Sequence, residues 1–269
     1  MTDLVVARSL LTDTHYEPIK ILGSGADSTV FEAYDKNNNK HVAIKILTDV
    51  KDVDQNLVND VDIAKNIICP EFTVLNRLNQ SKIRDYVPEL HEYFYIIYED
   101  KLYAIIVEEF IEGVSLFKIS MDWMNEGIDV QLLHYIVSTI LYLTAYMSSK
   151  GIYHGDIHGY NVMWDGHRLR LIDFGRSVFS GIERICGEEF TYHADEKTES
   201  FYISQLILNS LNLDELVDES YNRNITSEEL MMLLPPSEGD YDQDTLAAVL
   251  AKGINKDSNV YEMYFDYVS

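Results

Sequence analysis

Between residues 16 and 47 apolar and polar positions alternate with a period of two, and turn-forming residues interrupt the run twice. The pattern predicts a strand over 19–22, a glycine-rich turn over 23–28, a strand over 29–34, a polar turn over 35–40 and a strand over 41–46. That is an antiparallel meander. Residues 49–68 are acidic and weakly patterned. A helical period returns over 70–78, where Pro70 suits a first turn and Phe72, Leu75 and Leu78 share a face. Two further strands are predicted over 92–98 and 102–108, joined by Glu99-Asp100-Lys101.

After Phe110-Ile111-Glu112-Gly113 the period changes. Helices are predicted over 115–124 and 130–149, and only a short strand pair over 161–164 and 169–172. From Ser177 onward helical patches over 200–211, 227–234 and 242–252 surround a polar connection at 235–240. The expected class is therefore α+β, with a strand-rich first lobe of residues 1–112 and a helix-rich second lobe of residues 113–269. No internal repeat or low-complexity segment is present. The most apolar long window, 132–147, is broken by His134, Ser138, Thr139 and Thr144, and its Leu133, Ile136, Val137, Ile140 and Leu141 recur at helical spacing. It reads as a buried amphipathic helix, so no membrane span is expected.

Composition narrows the partners. The chain has 269 residues, with 21 Lys and Arg against 45 Asp and Glu, a net charge of −24. Such a surface repels phosphate backbones, so nucleic acid is not expected as the main partner. The same sign suits a basic protein substrate, or simply keeps the chain soluble. Two cysteines, Cys69 and Cys186, form neither a disulfide framework nor a zinc spacing and read as buried free thiols. With an N-terminus that lacks a signal-peptide pattern, a cytoplasmic location is the expectation, with nucleus or virion left open.

The candidate chemistry begins at Gly23-Ser24-Gly25-Ala26-Asp27-Ser28, which alone reads as a tight hairpin turn or as a phosphate-covering loop. Val42-Ala43-Ile44-Lys45 then sets one lysine in a strand that otherwise reads as buried, and a buried ammonium needs an anion. Lys45 at the exposed end of its strand is the plainer alternative. Downstream, Tyr153-His154-Gly155-Asp156-Ile157-His158-Gly159-Tyr160-Asn161 places an acid and an amide five residues apart, and Ile172-Asp173-Phe174-Gly175 follows. Asp156, Asn161 and Asp173 are hard oxygen donors of the kind that hold Mg2+ together with nucleotide phosphates.

In this order the motifs resemble those of the protein kinase-like superfamily: a glycine-rich loop, Val-Ala-Ile-Lys, a His-x-Asp loop ending in Asn, and Asp-Phe-Gly. The resemblance covers residues 19–177 firmly and the remainder loosely. It implies a bilobal fold, with an antiparallel five-stranded N-lobe carrying one main helix and a mostly helical C-lobe. It also implies ATP and Mg2+ as cofactors. Gly23 and Gly25 would cover the phosphates, Val30 and Ala43 would belong to the same nucleotide site, and Lys45 would hold the α and β phosphates. Glu71 would pair with Lys45, the alternative being a solvated helix-start residue. Asp156 would take or orient the proton of the attacking hydroxyl, and Asn161 and Asp173 would hold metal. The backbone of Glu109 to Ile111 would meet the adenine edge, which puts Glu108 at a usually apolar position behind the base, unless the register slips by one.

Departures from the family pattern shape the expected function. Ser28 replaces the third glycine, and Asp27 adds a carboxylate near the phosphates, which would weaken ATP binding unless it points outward. Gly155 stands where many protein kinases have the Arg that pairs with a phosphorylated activation loop, which argues against activation at Ser177, Ser180 or Thr191. His158 occupies the place of a Lys that neutralises the γ phosphate and is counted among the catalytic residues. The loop is similar to that of aminoglycoside and choline kinases, and its Asp-x-His also to haspin-like protein kinases. No Ala-Pro-Glu follows Asp173, and Glu199-Ser200-Phe201-Tyr202-Ile203-Ser204 stands for the helix that usually comes next.

Small-molecule kinases of the aminoglycoside type usually carry a large helical insert between hinge and catalytic loop, whereas residues 113–154 leave room for little more than two helices, so the resemblance implies a protein acceptor rather than a small molecule. The reading is thus a divergent Ser/Thr protein kinase, haspin-like or viral-kinase-like. A small-molecule kinase and a catalytically dead scaffold are the alternatives. The acidic segment 49–62 reads as a solvated loop or as a docking site for a basic partner.

Overall fold

The computed structural model describes residues 2–25, 28–47, 70–99, 101–179 and 196–269. Asp27, the acidic segment 49–62, Cys69, Ser180, Cys186 and Thr191 lie outside the described residues. By contact the chain divides into two compact units, Met1–Glu112 and Gly113–Ser269.

The first unit is built on one five-stranded antiparallel sheet. Strands β1 (Tyr16–Ser24), β2 (Ser28–Asp35), β3 (Lys40–Leu47), β4 (Leu90–Tyr98) and β5 (Lys101–Glu109) run in the order β1-β2-β3-β5-β4. The pleat sorts its side chains. On one face Phe31, Ala33, Val42, Ile44, Ile46, Ile105 and Val107 are buried together with Ala7 and Leu10 of a short N-terminal helix, α1 (Leu4–Leu10), and with Leu11 just after it. Asp3 starts that helix by accepting a hydrogen bond from the Val6 N–H at 2.8 Å. The alternate residues of β3, Ala43 and Lys45, face the other way, toward helix α2 (Pro70–Asn79), whose Val74, Leu75 and Leu78 are buried. Phe72 of α2 stacks on Tyr93 of β4 with ring centroids 4.8 Å apart, which fixes the helix on this face.

The second unit is mostly helical. Its long helices are α3 (Leu116–Glu126), α4 (Val130–Ser148), α5 (Glu196–Ser210), α8 (Gln243–Ile254) and α9 (Val260–Val268), with the shorter α6 (Asp214–Ser220) and α7 (Ser227–Met231) between α5 and α8. By length and composition α4 could cross a membrane, its mean hydropathy being 1.3. Its Leu133, Ile136, Val137, Ile140 and Leu141 are buried within the unit, where it packs on α9 and α5. Helix α8 approaches α5 closely because it carries Gly253, where a Cβ would overlap Ser204 Oγ and crowd Met263.

Short ladders complete the unit. β6 (Val114–Ser115) pairs with β8 (Val162–Trp164), β8 pairs with β9 (Leu169–Leu171), and β7 (Ile152–Tyr153) pairs with β10 (Val178–Phe179). The first of these pairings requires Gly113, since a Cβ there would overlap the Trp164 carbonyl oxygen.

The patterning gives the five sheet strands and the main helices to within a few residues, except that α5 begins at Glu196 rather than Ser200 and α7 ends at Met231 rather than Leu234. It does not announce α1, α6, α9 or the two-residue strands. These are too short to show a period, or are held by partners far away in the chain.

Candidate active site

Each unit carries its own set of candidate groups, and each set is built by local pairing. In the first unit, β3 sits between β2 and β5, with Lys45 opposite Val30 and Ile106, and Ala43 opposite Glu108. Lys45 is 5% exposed, and its Nζ lies 2.8 Å from Oε2 of Glu71, which is 2% exposed. Glu71 occupies the first turn of α2, the end of a helix that favours a carboxylate. The result is a buried ammonium held by an equally buried carboxylate. The β3–β5 register shows no one-residue slip at Glu108. Glu108 is buried and shares the face of Lys45, so the side of the strand that leads to Glu109 and the half-buried Ile111 is polar at this point.

Gly23 and Gly25 tell a different story from most glycines of this chain. Neither has a positive φ. A Cβ at Gly23 would meet nothing within 4 Å, and one at Gly25 only the Ser28 carbonyl oxygen at 3.9 Å. Neither steric contact nor backbone handedness therefore requires a glycine at these two positions, although Gly23 follows a register shift of β1 against β2. Their backbone is open to close approach by a ligand. The loop is held from beneath, where Gly25 N–H donates to Ser28 O at 2.9 Å.

In the second unit two short ladders gather residues that are far apart in sequence. Because β8 and β9 pair Val162 with Leu171, Asn161 and Ile172 come side by side, and Ile172 N–H donates to Asn161 O at 2.9 Å. Asp173 follows directly. Its φ of 62° is left-handed, a conformation Asp tolerates better than most residues, and its Oδ1 accepts from Gly175 N–H at 3.2 Å. Pairing of Tyr153 with Val178 brings the segment from His154 to Asp156 against the segment from Gly175 to Ser177. Ser177 is fully buried, its Oγ donating to His154 O at 3.1 Å, so its hydroxyl is part of the packing.

The amide nitrogen of Asn161 donates to Asp156 O at 3.0 Å, which leaves Oδ1 as the atom able to take a cation. Asp156 is partly exposed. Burial pushes its pKa up, but the hydrogen bond from His158 and the charge of Arg176 outweigh that and hold the carboxyl below its ordinary value. His158 Nε2 lies 3.6 Å from Asp156 Oδ2, and Arg176 Nη1 lies 3.5 Å from Oδ1. The acid is thus ionised at neutral pH and flanked by a cation.

Beneath it, His154 is fully buried against the Phe174 ring, with centroids 4.7 Å apart. Its Nε2 lies 3.2 Å from Ile172 O, and its Nδ1 accepts from Asp156 N–H at 3.3 Å. That assigns one proton to the ring, on Nε2. Burial lowers its pKa to about 4, so it stays neutral.

Glu199, 1% exposed, accepts from the N–H groups of both His154 and Gly155, at 2.7 and 3.2 Å. Burial drives its pKa up to about 7 against the pull of those two donors. Gly155 is required where it stands, because its φ is +77° and a Cβ would come 2.5 Å from the Arg176 carbonyl oxygen. Neither Arg176 nor Glu199 stands out for this part in the sequence. The only available signals were a cation directly after Asp-Phe-Gly and an acid at the start of an apolar helix.

The donors suit a hard cation. Among the described residues no three His, Cys, Asp or Glu side chains gather to hold a metal by themselves. Asp173 and the amide oxygen of Asn161 instead supply two oxygens, which matches a Mg2+ ion that completes its shell with phosphate and water.

Comparison with known proteins agrees with this geometry. The family model described as "Protein kinase domain" matches residues 16–246. The chain is 32% identical over 164 residues to serine/threonine-protein kinase D of Synechocystis sp., an overlap of 60% of this chain and 30% of that protein. It is 30% identical over 183 residues to serine/threonine-protein kinase cds1 of Schizosaccharomyces pombe, covering 65% and 36%. It is 26% identical over 168 residues to a PAS domain-containing serine/threonine-protein kinase of Mus musculus, covering 62% and 11%. The chain therefore spans little more than a third, or less, of the length of these curated relatives.

Proposed function

The chain belongs to the protein kinase domain family, and from that premise we propose that it transfers the γ-phosphate of MgATP to serine or threonine hydroxyls of a protein substrate. The observation that carries this reading is the convergence of Asp156, Asn161 and Asp173 at the ends of two short ladders. The buried Lys45–Glu71 pair supports it from the other unit.

In this reading Lys45, positioned by Glu71, binds the α and β phosphates, and the backbone at Gly23 and Gly25 covers them. Asn161 and Asp173 hold Mg2+, which when bound neutralises charge on the phosphates. Asp156, ionised and fixed by His158 and Arg176, accepts the proton of the attacking hydroxyl. The hydroxyl oxygen bonds to the γ phosphorus, the bond from that phosphorus to the bridging oxygen breaks, and ADP leaves with the electron pair. His158, when protonated, offers charge to the transferred group. Because these tasks are positioning and charge neutralisation, the side chains present suffice.

The Asp-x-His element supports a haspin-like branch, and the two cysteines support a cytoplasmic setting. The test is transfer of labelled γ-phosphate from MgATP to a basic protein, an acidic protein and an aminoglycoside and choline mixture, with Asp156→Ala alongside. Label on protein that disappears in the variant is the expected result. Label on small molecules alone, or ATP binding without transfer, would overturn it.

A further inference from the structure

Asp156 forms part of the wall of a cavity of about 590 Å3 that lies wholly within the second unit, between α3, α5 and the loop from Asp156 to Tyr160. A cavity of this size holds a ligand or several side chains rather than a few waters. Its chemistry is unlike the rest of this acidic chain. From α3 come Phe117, Met121 and Met124, at positions i, i+4 and i+7 on one face, exposed by 42%, 41% and 57%. Tyr160, 57% exposed, stacks on Phe117 with centroids 4.4 Å apart. Four large apolar side chains are thus held open to solvent beside the candidate proton acceptor. Exposure of that kind marks a binding surface.

Charge on the cavity wall is sparse. Among the described residues that line it, the acids are Asp156 and Asp214, and Arg176 and the imidazole of His158 stand beside them. The opposite wall offers the neutral amides of Gln205 and Asn209, one turn apart on α5, which suit the N–H and C=O groups of a peptide backbone. A lysine or arginine side chain lodged among Phe117, Met121 and Met124 would lose its hydration without gaining a carboxylate.

Building on the kinase reading above, we propose that this cavity selects the acceptor segment of the protein substrate, taking a large apolar side chain that lies within a few residues of the Ser or Thr presented to Asp156. The occupant follows from continuity, since the apolar wall and the proton acceptor belong to one cavity. It also follows from charge, since the described residues of the wall form no acid cluster of the kind a basic segment would need. The balance of −24 over the whole chain points toward basic substrates, but the described residues that line the cavity with Asp156 do not share it. The two methionines, unbranched and adaptable, fit tolerance for several apolar side chains (Leu, Met or Phe) rather than a single one.

The test is phosphorylation by the intact chain of a degenerate serine peptide library in which each position from −4 to +4 is fixed in turn. Leu, Met or Phe at one or two positions should raise kcat/KM by about tenfold or more over Ala or Arg there. In a second arm, Met121→Glu combined with Met124→Glu should raise KM for the preferred apolar peptide and create a preference for Arg at the same position. A misfolded variant cannot produce that gain. Transfer with a flat profile, or with Arg already preferred by the unaltered chain, would overturn the proposal and leave the kinase reading intact. Label on small molecules alone would remove both.

Discussion

The Lys45–Glu71 pair makes a prediction that separates stability from activity. At 2.8 Å and an effective dielectric of about 20, opposite unit charges attract by about 6 kcal/mol. Both groups are almost fully buried, and each pays several kcal/mol of lost hydration, so the intact pair is worth little to the fold. Removing one partner is another matter, because the other charge is left buried. Glu71→Leu and Lys45→Met should each lower the unfolding free energy of the first unit by about 3–5 kcal/mol. That is a large share of the roughly 5–15 kcal/mol typical of a domain. The double variant Lys45→Met with Glu71→Leu, apolar on both sides, should recover most of the loss.

The assay is urea unfolding of the four proteins by far-UV circular dichroism, read as a double-mutant cycle. Phosphoryl transfer on the same samples should be lost in all three variants, including the restabilised one. A loss below about 1 kcal/mol for Glu71→Leu would refute the reasoning. So would a double variant whose loss equals the sum of the two singles.

Three further outcomes follow from the geometry. Gly23→Ala and Gly25→Ala meet no steric obstacle, so thermal unfolding should show unchanged stability or a gain of up to about 1 kcal/mol, while the KM for ATP rises. Lost stability with an unaltered KM would contradict the ligand-approach reading. Glu199 is raised in the fold from its ordinary 4.5 to about 7. Its neutral form therefore favours folding fully below about pH 4.5, and that contribution is lost as pH rises through 7. Relative to the unaltered chain, Glu199→Gln should gain on the order of 3 kcal/mol between those limits, measured by denaturant unfolding across pH. Gly155→Ala should destabilise the second unit by about 1–2 kcal/mol from backbone handedness alone. It should also displace Arg176, seen as an upward move of the acidic limb of the kcat/KM profile.

The parts of this molecule legible in its sequence are those where a local pattern and a packing need coincide. Alternation over residues 41–46 gives β3 its two faces, and the odd lysine in that alternation announces a buried charge before any partner is known. Glu71 is reachable through the family resemblance, in whose pattern it precedes Leu75 and Leu78 on a predicted helix. Other features are invisible for a physical reason. The ladders that pair Tyr153 with Val178 and Val162 with Leu171 are two and three residues long, too short for any period. Yet these ladders bring Asp156, Asn161 and Asp173 together. Glu199 lies over forty residues from the two N–H groups it accepts, so its part in holding the loop is a property of the tertiary fold. Helix α9 did carry a signal, the Asn259 and Glu262 of a capping box, and it could have been read.

Helix α1 and helix α9 both fall outside residues 16–246, the stretch shared with the family. Ala7, Leu10 and Leu11 nonetheless close over Phe31, Val42, Ile44 and Ile46. At the other end Val260, Met263 and Tyr267 are buried, with the Tyr267 hydroxyl 2.9 Å from His134 Nδ1 on α4. A fragment trimmed to the family borders would therefore present one bare sheet face and one bare helix face to water, and it would aggregate although every motif residue was kept. In this chain the inherited segment is shorter than the segment that must fold. Transplanting its chemistry into another protein means carrying both flanking helices along.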